Sequence, residues 1–423
     1  MLSISTEQVV LPNGLTLVVA PDRSVPVVAV NLWYGVGSKH ERAGRTGFAH
    51  LFEHMMFQGS AHIPKNEHFE RVERAGGSVN ATTWFDRTNY FETLPAHHLE
   101  LALWLESDRM GFLIDAIDQE KLDNQRDVVM NERRQRYDNQ PYGDWDERMQ
   151  AMVFPPEHPY HHTVIGSMED IEAATLTDVQ EFFRTYYRPN NAVLTLAGDV
   201  DPKRAVELVE RWFGGLPGGD PVPPVPGIED PGAVIGETVR SRVHADVPLP
   251  RVYLGARVPP FTDPEFYTAD LATSILADGR ASRLYRRLVR EEGIARDVVS
   301  FAFPLLHGRT FMLSWITGYR GADPEELESA LVRELEALSE VTEAELERAV
   351  ALAETQLLRQ VERLGSRADL LSMHQLYFGD AERLNSEVDR LRAVTPERVR
   401  AFAESHLGAD NRAILTYLPE EDQ

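Results

Sequence analysis

Residues 214–227, Gly-Gly-Leu-Pro-Gly-Gly-Asp-Pro-Val-Pro-Pro-Val-Pro-Gly, carry too much proline and glycine for a helix or strand to run through them. They cut a chain of 423 residues into two nearly equal parts, and that length suits two domains of about 200 residues better than one core. The parts look duplicated. Near the end of the first stand Val179-Gln180-Glu181-Phe182-Phe183, the polar turn Arg188-Pro189-Asn190-Asn191 and the strand-like Ala192-Val193-Leu194-Thr195-Leu196. Near the end of the second stand Val399-Arg400-Ala401-Phe402, Gly408-Ala409-Asp410-Asn411 and Ala413-Ile414-Leu415-Thr416-Tyr417. An offset of 220 superposes Val179 on Val399, Phe182 on Phe402 and Asn191 on Asn411, with Thr177 and Thr395 as helix openers. The expected division is 1–215, a linker at 216–235, and 236–423.

The first part mixes hairpins with long helices. Val9-Val10-Leu11 and Leu15-Thr16-Leu17-Val18-Val19 flank Asn13-Gly14, a hairpin turn signal. Residues 27–34, 78–85 and 88–94 read as strands, and 99–110 and 118–139 as helices. The expected class is α+β: two domains of similar fold, each a mostly antiparallel sheet with helices packed on it.

Chemistry concentrates in His50-Leu51-Phe52-Glu53-His54. Residues four apart in a helix lie one above the other, so His50 and His54 can hold one metal ion. Glu53 stands at the edge of that face, placed to act on a water at the metal. The order H-x-x-E-H marks the inverzincins, a class of zinc peptidases. Another histidine pair with the same spacing, His158 and His162, is read as loop, because Pro159 opposes a helix and no acid stands between them. The chain has no cysteine, so zinc has only nitrogen and oxygen ligands to draw on. Catalytic zinc needs a third protein ligand. In the helix around Gln125-Arg126-Asp127-Val128-Val129, we expect Leu122, Val128 and Val129 to pack inward, and Glu132 shares the face of Val128; Asp127 and Glu120 compete with it.

Composition narrows the partners. A net charge of −24 opposes nucleic-acid binding, which needs a basic face. It suits solubility and the attraction of basic peptides. No apolar run reaches the roughly 18 residues of a membrane helix. Met1-Leu2-Ser3-Ile4-Ser5-Thr6-Glu7 shows no secretion signal, so a cytoplasmic location is expected, or a periplasmic one if a leader had been removed.

The segment Gly47-Phe48-Ala49-His50-Leu51-Phe52-Glu53-His54-Met55-Met56-Phe57-Gln58-Gly59-Ser60 resembles the pitrilysin/insulinase-like metallopeptidases, which include the mitochondrial processing peptidase and its bacterial relatives. Gly76-Gly77-Ser78-Val79-Asn80-Ala81-Thr82-Thr83 with Thr88-Asn89-Tyr90 resembles the family's substrate-side strand, and Gln125 through Glu132 its helix with the third ligand. Ser282-Arg283-Leu284-Tyr285 with Leu288 resembles a recurrent stretch of its second domain. The resemblance implies zinc held by His50, His54 and Glu132, with Glu53 as general base in peptide-bond hydrolysis. It implies that Asn80 and Ala81 contact the substrate backbone by β-addition. The second part lacks a zinc motif, so one zinc per chain is expected.

Two departures bear on the reading. Relatives usually carry a glutamate seven residues before the third ligand, where this chain has Gln125, which can accept a hydrogen bond from a ligand histidine but adds no charge. Active relatives also carry an arginine and a tyrosine seven apart in the second domain; Arg309 and Tyr319 are ten apart and do not match. The expected partner is therefore a related subunit supplying that pair, with a homodimer as the alternative. The main reading is a zinc endopeptidase of oligopeptides or unfolded segments; the other is a non-catalytic or assembly subunit of a related heteromeric peptidase.

Overall fold

The run Val27–Tyr34, VVAVNLWY, lacks the polar alternation of a strand with one wet face, so it needs cover on both sides. The computed structural model, which describes residues 2–420, places it inside a six-stranded sheet. The strands are β1 (Glu7–Val10), β2 (Thr16–Pro21), β3 (Val27–Tyr34), β4 (Ser78–Thr83), β5 (Thr88–Pro95) and β6 (Ala192–Gly198). Their spatial order is β1-β2-β6-β3-β5-β4, antiparallel throughout except between β2 and β6. β4 closes one end and pairs only with β5 among the described residues. In the β1–β2 hairpin Gly14 takes φ +92°, the left-handed backbone its turn requires.

The second sheet holds β7 (Glu237–Ala245), β8 (Arg251–Val258), β9 (Ala295–Ala302), β10 (Thr310–Gly318) and β11 (Asn411–Pro419), ordered β7-β11-β8-β10-β9. Only β7 and β11 are parallel. Removing β1 from the first order leaves the same chain-order pattern as the second, so the duplication holds strand for strand. The repeated helices are Leu176–Tyr186 and Pro396–His406. Their caps are Thr175, which accepts from the backbone of Asp178, and Thr395, which accepts from Arg398. Thr177 is thus corrected to Thr175, and the 220-residue offset carries one cap onto the other.

The helices that build the site are α1 (Phe48–Met55), α2 (Glu67–Arg74), α3 (Leu99–Phe112), α4 (Gln119–Arg133) and α5 (Trp145–Val153). α4 stops short of the expected residue 139 and widens into a π turn at Arg134–Asp138, where the backbone N–H of Asn139 donates to Arg134 O at 2.8 Å.

The described residues fall into two compact units, and neither is contiguous. The first comprises the chain up to Arg133, Thr163–Pro226 and Leu358–Ser386; the second comprises Arg134–His162, Gly227–Leu357 and the chain from Glu387 onward. A single cut at 216–235 therefore does not reproduce the units, because a helical segment of each half packs with the other half's sheet. Helix Leu364–Phe378 lies on β3 and β6, where Asp369 Oδ1 accepts from Trp33 Nε1 (2.9 Å), Asn89 Nδ2 (3.1 Å) and Asn31 Nδ2 (3.2 Å). Ser372 Oγ donates to Thr195 Oγ1 at 2.8 Å. Reciprocally, α5 lies on β8 and β11; Arg257 Nε of β8 donates to Val153 O at 2.7 Å and Tyr417 Oη of β11 to Asp144 Oδ1 at 2.5 Å. Asp369→Ala removes the acceptor shared by three donors of the first sheet, of which Asn89 Nδ2 keeps Asn31 Oδ1 at 3.1 Å, and the first unit is expected to lose about 1–3 kcal/mol in urea unfolding; an unchanged midpoint would deny the helix that anchoring role.

Candidate metal centre

α1 opens after Gly47, whose φ of +84° turns the chain and whose missing side chain leaves the helix uncapped from within. The cap comes from a distance: the buried Glu41 carboxylate accepts from the backbone N–H groups of Gly47 at 2.9 Å and Ala49 at 2.7 Å. Phe48, Leu51, Phe52 and Met55 are buried on this helix. The same phase sets His50 and His54 one turn apart, their Nε2 atoms separated by 3.4 Å.

α4 brings the third group. Glu132 Oε2 lies 3.3 Å from His54 Nε2 and 3.7 Å from His50 Nε2. Donors about 2.0–2.1 Å from a tetrahedral zinc ion stand roughly 3.3 Å from one another. The three atoms thus match the spacing one zinc ion needs. The face that aims Glu132 carries the buried Leu122, Gln125 and Val129. Val128, expected to pack inward, is 41% exposed and is corrected to the outer flank of that face; Glu132 keeps its place because it lies three residues after Val129 and seven after Gln125. Asp127 and Glu120 are exposed and remain outside the cluster. Gln125 is buried on this face and donates through Nε2 to Asn124 Oδ1 at 2.9 Å.

Glu53 is half-buried beside the donors, and Thr83 Oγ1 donates to its Oε2 at 2.5 Å. Burial pushes its carboxyl up, against the opposing pull of the Thr83 hydrogen bond and of the His54 and Arg87 charges. Thr83 ends β4, on which Asn80 is exposed and Ala81 is buried opposite Tyr90. This contact was not legible in sequence, since it joins residues thirty apart across a helix and a strand.

In the second unit, Arg309 precedes β10 and Tyr319 follows it, with Tyr319 49% exposed. Ten residues of extended chain span roughly 30 Å, too far for both side chains to meet one carbonyl. His158 and His162 lie outside regular structure, between α5 and the helix Met168–Glu172.

A second group escaped the sequence because it is assembled from three elements without motif spacing. His68 of α2, Glu92 of β5 and Glu106 of α3 are all buried, with His68 Nε2 3.1 Å from Glu92 Oε1 and 3.7 Å from Glu106 Oε1. Burial, with Glu106 beside it, holds the Glu92 carboxyl well above the usual range, and burial holds His68 well below its own. A cation already serves these acids: Arg109 Nε donates to Glu106 Oε2 at 2.9 Å, and its guanidinium sits 4.1 Å from the Tyr90 ring centre and 5.0 Å from that of Phe57. The arrangement is a buried ionic brace, not an open metal site.

No helix among the described residues is long and apolar enough to cross a membrane. Residues 17–154 match the family profile described as Insulinase (Peptidase family M16), and residues 173–352 match that described as Peptidase M16 inactive domain. The chain is 34% identical to the zinc protease PqqE of Helicobacter pylori over 353 residues, covering 81% of this chain and 77% of that one. It is 28% identical to an uncharacterized zinc protease of Mycobacterium leprae, covering 93% of this chain and 87% of that one. The crystal structure of a protease from Helicobacter pylori aligns with a TM-score of 0.91 at 28% identity, covering 98% of this chain and 100% of that one. A peptidase M16 inactive domain from Pseudomonas fluorescens shares the fold, with a TM-score of 0.85 at 19% identity over 99% of both chains. By sequence, by fold and by relatives named as zinc proteases, this chain belongs to the insulinase family, peptidase family M16.

Proposed function

We propose that this chain is a zinc-dependent endopeptidase that hydrolyses oligopeptides or unfolded segments. The observation that carries the reading is the zinc-matched spacing of His50, His54 and Glu132 with the Glu53 carboxylate on the same helix. A zinc ion held there would acidify a water and polarise the scissile carbonyl. Glu53 accepts a proton from the attacking water and delivers it to the leaving amine, so one water is added across the C–N bond. β4, with no strand on its outer side among the described residues, offers its backbone at Asn80 and Ala81 to an extended peptide. Recognition by backbone favours unfolded substrates over particular sequences.

The site is completed, in this reading, by a related subunit that brings an arginine–tyrosine pair, since Arg309 and Tyr319 stand at opposite ends of β10. A homodimer is the alternative arrangement. The match of residues 173–352 to a profile described as an inactive domain favours a second reading, a non-catalytic assembly subunit. Glu53 weighs against it, because a purely structural zinc site needs no base.

One experiment separates these readings. Quenched-peptide hydrolysis is measured on the zinc-loaded chain, alone and with a co-encoded related chain, with and without chelator. Turnover that chelation abolishes, zinc restores and Glu132→Ala eliminates together with bound zinc is the expected result. Zinc binding without turnover in either setting would favour the assembly subunit. Full turnover by the isolated monomeric chain would remove the need for a partner.

A further inference from the structure

We propose that Thr83 is a positioning residue for the base: its hydroxyl fixes the Glu53 carboxylate, so that the group that moves the proton is tied to the strand offered to the peptide. The inference rests on the peptidase reading above and adds a residue to it. A carboxylate one residue from a ligand histidine has free rotation about its last bonds unless something holds it. Here Thr83 Oγ1 spends its only hydrogen on Glu53 Oε2, at 2.5 Å, which leaves Oε1 as the oxygen to receive a proton.

Thr83 is itself held from several directions. It forms the last pair of the β4–β5 ladder, opposite Thr88. Thr88 Oγ1 donates to Val36 O at 2.9 Å, and the turn beyond is closed by Trp84 N–H donating to Arg87 O at 2.8 Å. The backbone N–H groups of Ser38 and Lys39 donate to Trp84 O at 3.2 Å and Phe85 O at 3.0 Å, and Lys39 Nζ donates to Asp86 Oδ1 at 2.8 Å. At Gly37 a Cβ would stand 2.2 Å from Trp84 O, so the loop and the hairpin tip touch backbone to backbone. A β-branched side chain on so fixed a strand has little χ1 freedom. Thr83 therefore cannot follow a carboxylate that turns away; it holds it.

Asn80 and Ala81, where a peptide would add, lie three and two residues earlier on the same strand. A peptide in register with them is also in register with the carboxylate that Thr83 holds. Positioning then acts on turnover and not on binding.

The test compares wild type, Thr83→Val and Thr83→Ser, each zinc-loaded and checked for melting temperature and metal content. Val keeps the shape and removes the donor; Ser keeps the donor. Thr83→Val is expected to lose about 10- to 100-fold in kcat, the usual cost of removing an outer hydrogen-bonding partner of a catalytic group, with KM within about two-fold and zinc retained. Thr83→Ser is expected to recover most of it. In crystal structures the Glu53 carboxylate keeps its orientation in wild type and Thr83→Ser and turns in Thr83→Val. Unchanged kcat in Thr83→Val, a rise in KM alone, or a Glu53 orientation indifferent to the substitution would overturn the proposal. A zinc-loaded wild type that cleaves no peptide would sink the peptidase reading instead, and the Glu53 orientations alone would then decide this one.

Discussion

Glu53→Gln retains one zinc per chain and loses about 10²–10⁴-fold in peptide turnover, the range over which a positioned general base contributes. Glutamine is nearly isosteric, and its amide oxygen can still accept from Thr83, so the packing around α1 is undisturbed. It cannot take a proton from the attacking water, nor hand one to the leaving amine. His50, His54 and Glu132 are untouched, and their donors keep the separations of 3.3, 3.4 and 3.7 Å. Metal content by atomic absorption and turnover on a quenched peptide read the two quantities separately. Turnover near the wild-type rate would remove Glu53 from the reaction.

The second large effect falls on stability. Arg109 is the cation among the fully buried Glu92 and Glu106, and Arg109→Leu leaves those carboxylates without it. Breaking a buried ionic group by removing one partner costs about 3–5 kcal/mol, and thermal or urea unfolding of the first unit should show a loss of that size. Adding Glu106→Leu to the same chain should recover part of it, because an apolar replacement of the pair avoids the stranded charge. A single variant within about 1 kcal/mol of wild type would mean that the brace is not where this unit's stability resides. Glu92 also gives the brace a pH dependence. Its folded carboxyl holds a proton above the ordinary carboxylate range, whereas the unfolded one does not, so its contribution to stability falls as pH rises out of that range.

What could be read from the sequence was what one element carries by itself. Two histidines four apart and a glutamate between them define a face of one helix, and no tertiary knowledge is needed to see it. Val27–Tyr34 announces a central strand because every position is apolar or small enough to bury, apart from Asn31. Glu132 was reachable, but its neighbours set a trap: Val128-Val129-Met130 is a continuous apolar run that cannot phase itself. The buried Gln125 fixes the phase, and a polar residue on the inner face is what hydrophobic periodicity discards. Thr83 and the His68–Glu92–Glu106–Arg109 brace depend on which strand lies over which helix, and no local pattern encodes that. The exchanged helices fail for a related reason. Leu364–Phe378 buries Ala368, Leu371, Ser372, His374 and Gln375, a face of mixed polarity, and no local pattern says which of two sheets of the same design will receive it.

The backbone passes between the two units five times, at 133/134, 162/163, 226/227, 357/358 and 386/387. The Pro/Gly-rich segment is only one of those crossings, although it looks like the seam. Severing it would leave each fragment gripping an arm of the other, and the pieces could part only by first unpacking a helix from each sheet. The duplicated halves are thus no longer separable modules, however alike their ancestry makes them look: each has surrendered part of its own cover and completes itself with its sibling's.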